Sequence, residues 1–103
     1  MGTHNALLRL GGDAYLEVIA IDPGAPAPDR PRWFGLDELA RDDLPRLTTW
    51  VVRVDDLDAT VAACSEALGI VLTMSRGPYT WRITVPPDGR PPLDGLLPAV
   101  ISW

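Results

Sequence analysis

Apolar positions alternate with other residues over His4–Ile21, and the pattern predicts two β-strands joined by a tight turn at Gly11-Gly12-Asp13. In the second strand Leu16, Val18 and Ala20 fall on one face and Tyr15, Glu17, Ile19 and Ile21 on the other, because successive side chains alternate across a pleated strand. Glu17 is therefore set among apolar neighbours, where a carboxylate must find a partner, bind a cation or take up a proton. The alternation stops at Asp22–Arg32. Four prolines there remove backbone donors and disfavour both helix and central strand, so an extended connector is expected. Leu36, Leu39 and Ala40 then recur at helical spacing within Trp33–Asp43, a short helix ended by Pro45, with Trp33 and Phe34 as its anchors to the body.

The second half begins with Leu47–Val54, rich in β-branched and aromatic residues and read as a strand with Leu47, Thr49, Val51 and Arg53 on one face. Asp55 or Asp56 is placed to cap a following helix, whose apolar stripe is Leu57, Val61, Cys64 and Leu68 and whose end is Gly69. Extended segments follow at Ile70–Met74, Tyr79–Val85 and Leu96–Trp103, with Pro86-Pro87-Asp88-Gly89 as a turn. The order predicts an α+β fold of one domain spanning residues 1–103. A strand pair (1–21) reads as the last two strands of one βαβββ module, a linker with a short helix covers 22–46, and a complete second module covers 47–103.

Composition narrows the class. A chain of 103 residues, 47% hydrophobic, supports one core. The net charge is −5 and all nine basic residues are arginines without a basic cluster, which excludes a phosphate-neutralising nucleic-acid surface. One cysteine, Cys64, permits no internal disulfide and fits a reducing cytoplasm. No apolar run approaches membrane-spanning length, so neither a membrane partner nor an anchor is expected. The motifs of P-loop, zincin, CxxC and serine-hydrolase enzymes are missing.

With this element order, the stretches Gly2–Leu8, Tyr15–Ala20, Val51–Ala59, Trp81–Thr84, Gly95–Pro98 and Ile101–Trp103 resemble the vicinal oxygen chelate superfamily (glyoxalase, bleomycin resistance and dioxygenase proteins), and within it the glyoxalase-like domain proteins. The resemblance implies paired βαβββ modules whose curved mixed sheet forms a cup with the site on its concave face. It also implies a divalent metal held by one side chain from the first strand and one from the fourth strand of each module. Glu17 matches the fourth strand of the first module. The first strand of that module, where His or Gln is expected, is absent, as is its strand-helix-strand start. Thr49 and Ser102 stand at the two positions of the second module, and neither is a normal ligand for a divalent ion.

The candidate chemistry follows from those positions. Glu17 reads as metal ligand, as general base, or as the internal partner of Arg53. His4, the only histidine, reads as an acid-base helper or as a surface residue at a strand start. Arg76 beside Tyr79 and Trp81 suits the charge of a small molecule within aromatic walls. Tyr15, Arg53, Arg76, Trp81 and Trp103 make up the expected ligand-binding set, whereas Cys64 reads as packing. Two functions stand: a glyoxalase-like enzyme or enzyme remnant acting on a molecule with adjacent oxygens, or a non-catalytic domain that holds a small molecule in the cup. A truncated form of a longer glyoxalase-like protein is the third. The open edge and uncovered face of the opening hairpin predict a homodimer.

Overall fold

A computed structural model describes residues 1–40, 42–64 and 66–103. The opening hairpin forms as expected, with β1 (Thr3–Gly11) antiparallel to β2 (Ala14–Ile21). After the connector comes a 3-10 segment, Trp33–Glu38. The βαβββ unit is β3 (Val51–Arg53), α1 (Leu57–Ala63), β4 (Ile70–Arg76), β5 (Tyr79–Val85) and β6 (Ala99–Ser102), with a short 3-10 turn at Pro92–Gly95 before β6. Its four strands form one mixed sheet in the order β3-β6-β5-β4, parallel between β3 and β6 and antiparallel elsewhere. The hairpin is a separate two-stranded sheet.

Four predicted elements are shorter or tighter than their patterns. The strand expected over Leu47–Val54 pairs only at Val51–Arg53, because its sole neighbour is the four-residue β6, which Pro98 precedes without a backbone donor. The same limit moves the start of the last strand from Leu96 to Ala99. Helix α1 is capped by the Asp56 carboxylate, which accepts from the Ala59 N–H at 2.9 Å. It ends early because the Cys64 N–H is shared between the Thr60 and Val61 carbonyls and Cys64 itself is extended. The connector forms a 3-10 segment instead of an α-turn, since Phe34 and Gly35 both take left-handed backbone angles. Ser65, inside the predicted helix, and Arg41, near the end of the predicted connector helix, lie outside the described residues.

Each face of the sheet carries its own core. On one side Leu57 of α1, Leu68 and Val100 pack together, with Val61 and Cys64 partly buried against them, so the predicted stripe faces the sheet although its last two members lie beyond the helix. Arg82 and Thr84 share this side: Arg82 grips Asp58 of α1 with two bonds, at 2.7 and 2.9 Å, and the Thr84 hydroxyl accepts from the Val100 N–H. On the other side Ile83, Val85, Ala99 and Ile101 are covered by Trp33 and Leu36, with Met1, Ile19, Leu72, Met74 and Trp81 at the margin. Ile19 comes from β2, so the hairpin lies against this second face.

Candidate functional site

The connector is tied at both ends, and those ties place Trp33. The Asp22 N–H donates to the Gly2 carbonyl at 3.0 Å, which folds the connector back along the start of the chain. Asp37 accepts from the Arg32 backbone N–H and pairs with the Arg32 guanidinium at 2.5 Å. These bonds, chiefly the backbone one, hold the Asp37 carboxyl below the ordinary aspartate range. At the other edge Gly35 donates to the Gly89 carbonyl at 2.8 Å. Gly89 has a φ of +74°, and a Cβ on it would overlap the Arg32 carbonyl oxygen, so only glycine admits this approach. A left-handed Phe34 costs about 1–2 kcal/mol, and the clamp around it, with Trp33 and Leu36 buried, holds the segment in that shape.

Trp33 then forms part of a cleft of about 160 Å³ between the chain start, the connector and the β4–β5 pair. Thr3, Met74, Arg76 and Trp81 line it together with Trp33. Met74 and Trp81 are cross-strand partners on one face, and Arg76 extends that face to the end of β4. Trp33 is 6% exposed and its indole N–H has no hydrogen-bond partner. The Thr3 hydroxyl is likewise buried and unpartnered. Two of the three orphaned buried side-chain polar atoms among the described residues thus belong to walls of one small cleft.

Arg76 links this cleft to Glu17. Its guanidinium donates to the Asn5 side-chain oxygen and, at 3.3 Å, to the Thr3 carbonyl, and the Asn5 amide in turn donates to the Glu17 carboxylate. Register explains the arrangement: Asn5 pairs with Ile19 and Leu7 with Glu17, so Asn5 and Glu17 are diagonal neighbours on the hairpin face turned toward β4. Tyr15 shares that face, and its phenol is pushed above its ordinary pKa, first by burial and then by the Glu17 carboxylate.

The sequence-derived residues therefore divide. Arg76 and Trp81 stand in the cleft and Glu17 is joined to it through Asn5. His4 pairs across with Ala20 on the outer hairpin face, away from Glu17. Arg53 is on β3, three strands from β4 and so roughly 14 Å away at ordinary strand spacing. Of the three readings of Glu17, the pair with Arg53 is not among the ion pairs of the described residues, and the Asn5 amide donates to the carboxylate instead. Trp103, expected among the ligand-binding residues, is 64% exposed and does not line the cleft. Thr3, Asn5, Trp33 and Met74 enter the site without having been singled out for it. Their proximity is made by the hairpin packing on β4, a contact across 71 residues of chain between Asn5 and Arg76.

The donor set does not fit a divalent ion. Glu17 faces the cleft side of the sheet, while Ser102 pairs with Arg82 on the helix side and Thr49 precedes β3 at the far edge. No group of three His, Cys, Asp or Glu side chains converges among the described residues. Within the same residues no helix is long and apolar enough to cross a membrane.

No curated protein and no solved structure matches the chain. A family model described as a glyoxalase-like domain matches residues 1–103. That match covers the hairpin, the connector and the complete βαβββ unit alike, and the chain belongs to the glyoxalase-like domain family of the vicinal oxygen chelate superfamily.

Proposed function

We propose that this glyoxalase-like domain is a non-catalytic module that binds a small organic molecule in the cleft between hairpin and sheet. The observation that carries the reading is the pair of buried, unpartnered donors, the Trp33 indole N–H and the Thr3 hydroxyl, gathered at one cleft. A buried donor without an acceptor costs about 1–3 kcal/mol, and a ligand acceptor removes that cost. A fragment screen followed by amide and indole NMR shifts tests it. Shifts should converge on Thr3, Trp33, Met74, Arg76 and Trp81. Fragments that perturb only other surfaces, or none at millimolar concentration, defeat the reading.

Glu17, held by the Asn5 amide beside the cleft, supports a second reading, an enzyme or enzyme remnant in which a molecule extending past Asn5 gives its proton to the Glu17 carboxylate directly. Glu17→Gln then abolishes turnover of a bound molecule while sparing its binding; turnover that survives the change removes Glu17 from that role.

The protein is further proposed to be a homodimer in a reducing cytoplasm. Ala6, Leu8, Leu16, Val18 and Ala20 share the outer hairpin face, with Leu8 60% and Val18 59% exposed. A two-stranded ribbon is at best marginally stable alone, so its apolar face calls for a partner present whenever the chain folds. A second copy meets that condition. The single, half-buried Cys64 accords with the compartment.

A further inference from the structure

Resting on the binding reading above, we infer that the cleft's ligand is a small organic monocarboxylate with an apolar body. The wall offers donors and almost nothing that a donor ligand would want. An indole N–H can only donate, and a guanidinium carries five N–H groups and no acceptor. Arg76 spends one bond on the Asn5 oxygen and one on the Thr3 carbonyl, so its fork retains N–H groups for a further acceptor. It takes part in none of the three ion pairs found among the described residues, and no Asp or Glu lines the cleft. The guanidinium thus has no direct carboxylate partner at this spot, and Glu17 reaches it only through the Asn5 amide.

A carboxylate answers that lining with two oxygens in one plane, which is the geometry a guanidinium fork matches best. One group can take Arg76 at the rim and the Trp33 or Thr3 donor behind it. Met1, Met74 and Trp81 add thioether and aromatic surface to a wall completed by Gly2, Ala25 and Ser75. At about 160 Å³ the cleft suits a body the size of one benzene ring. The second cleft, between Leu39, Arg46 and Asp94, has both signs of charge on its walls and none of the orphaned donors, so the same argument does not extend to it.

The test compares benzoate with its neutral isostere benzamide by calorimetry, while the Trp33 indole N–H resonance, assigned with Trp33→Phe, is followed by NMR in the wild type. Benzoate should bind at least about tenfold tighter and move the indole resonance downfield. Arg76→Gln should erase the difference between the two compounds, and Arg76→Lys, which keeps the charge, should retain most of it. Equal binding of benzoate and benzamide with the indole resonance moving in both overturns the carboxylate inference and leaves the binding reading standing. Failure of both compounds to bind at millimolar concentration overturns the carboxylate inference, and the fragment screen decides the binding reading separately. A preference for benzoate that survives Arg76→Gln overturns the assignment to this cleft.

Discussion

Val18→Asp isolates the proposed partner surface because Val18 is 59% exposed on the outer hairpin face and supports little of the monomer's own core. Fully burying a valine-sized side chain is worth about 1.5–3 kcal/mol, so the part still exposed here leaves roughly 1–2 kcal/mol to be gained on association. In a two-fold interface both copies lose that gain, about 2–4 kcal/mol in all, which raises the dimer dissociation constant roughly 30- to 700-fold. An aspartate brought under the partner adds the cost of burying a charge, so the upper part of that range is expected. Sedimentation equilibrium across a hundredfold range of concentration measures the constant, and circular dichroism checks that the monomer keeps its fold. A wild type that stays monomeric at tens of micromolar, or a Val18→Asp constant within threefold of the wild type, refutes the argument.

Other consequences are equally direct. Asp37 has its folded pKa depressed by Arg32, so the clamp contributes in full above the unfolded aspartate pKa of about 3.9 and is lost as pH falls through the lower folded value. A carbon-detected titration should place the Asp37 pKa below that of the free side chain and Arg32→Gln should raise it; an identical pKa in both proteins would refute the clamp. Gly89→Ala forces a left-handed alanine, about 1–2 kcal/mol, against the Arg32 carbonyl, and should lower the melting temperature by roughly 5–15 °C. An unchanged melting temperature would show that the connector does not depend on that close approach. Metal analysis after dialysis against zinc, nickel, manganese and iron(II) should find far less than one ion per chain, with no difference for Glu17→Ala, whereas a stoichiometric ion lost in that variant would show a site assembled by other means.

The parts of the fold that were legible in the sequence are those set by neighbours in the chain. The hairpin and the β4–β5 pair follow from alternation interrupted by Gly-Gly-Asp and by Gly77-Pro78, and their observed spans agree closely with the pattern. The cap at Asp56 was legible for the same reason. The strand before Arg53 was overextended because β-branched composition reports suitability for a sheet and says nothing of how long the neighbouring strand will be. The connector's shape was hidden because Phe34 and Gly35 take left-handed angles that buried Trp33 and Leu36 and the Arg32–Asp37 pair enforce from outside the segment. At the site, Arg76 and Trp81 were visible as a charge beside aromatics, although the predicted strand stopped at Met74, two residues short of Arg76. Thr3, Asn5 and Trp33 were not, since their roles arise only where the hairpin meets β4.

The central claim, that the orphaned Trp33 and Thr3 donors belong to a ligand site, is tested most directly by a crystal structure of the protein with the tightest-binding fragment. The account predicts an acceptor atom of that fragment within hydrogen-bond distance of the Trp33 indole nitrogen or the Thr3 hydroxyl, with its body against Met74 and Trp81. A fragment bound elsewhere, with ordered water satisfying both donors, would contradict it.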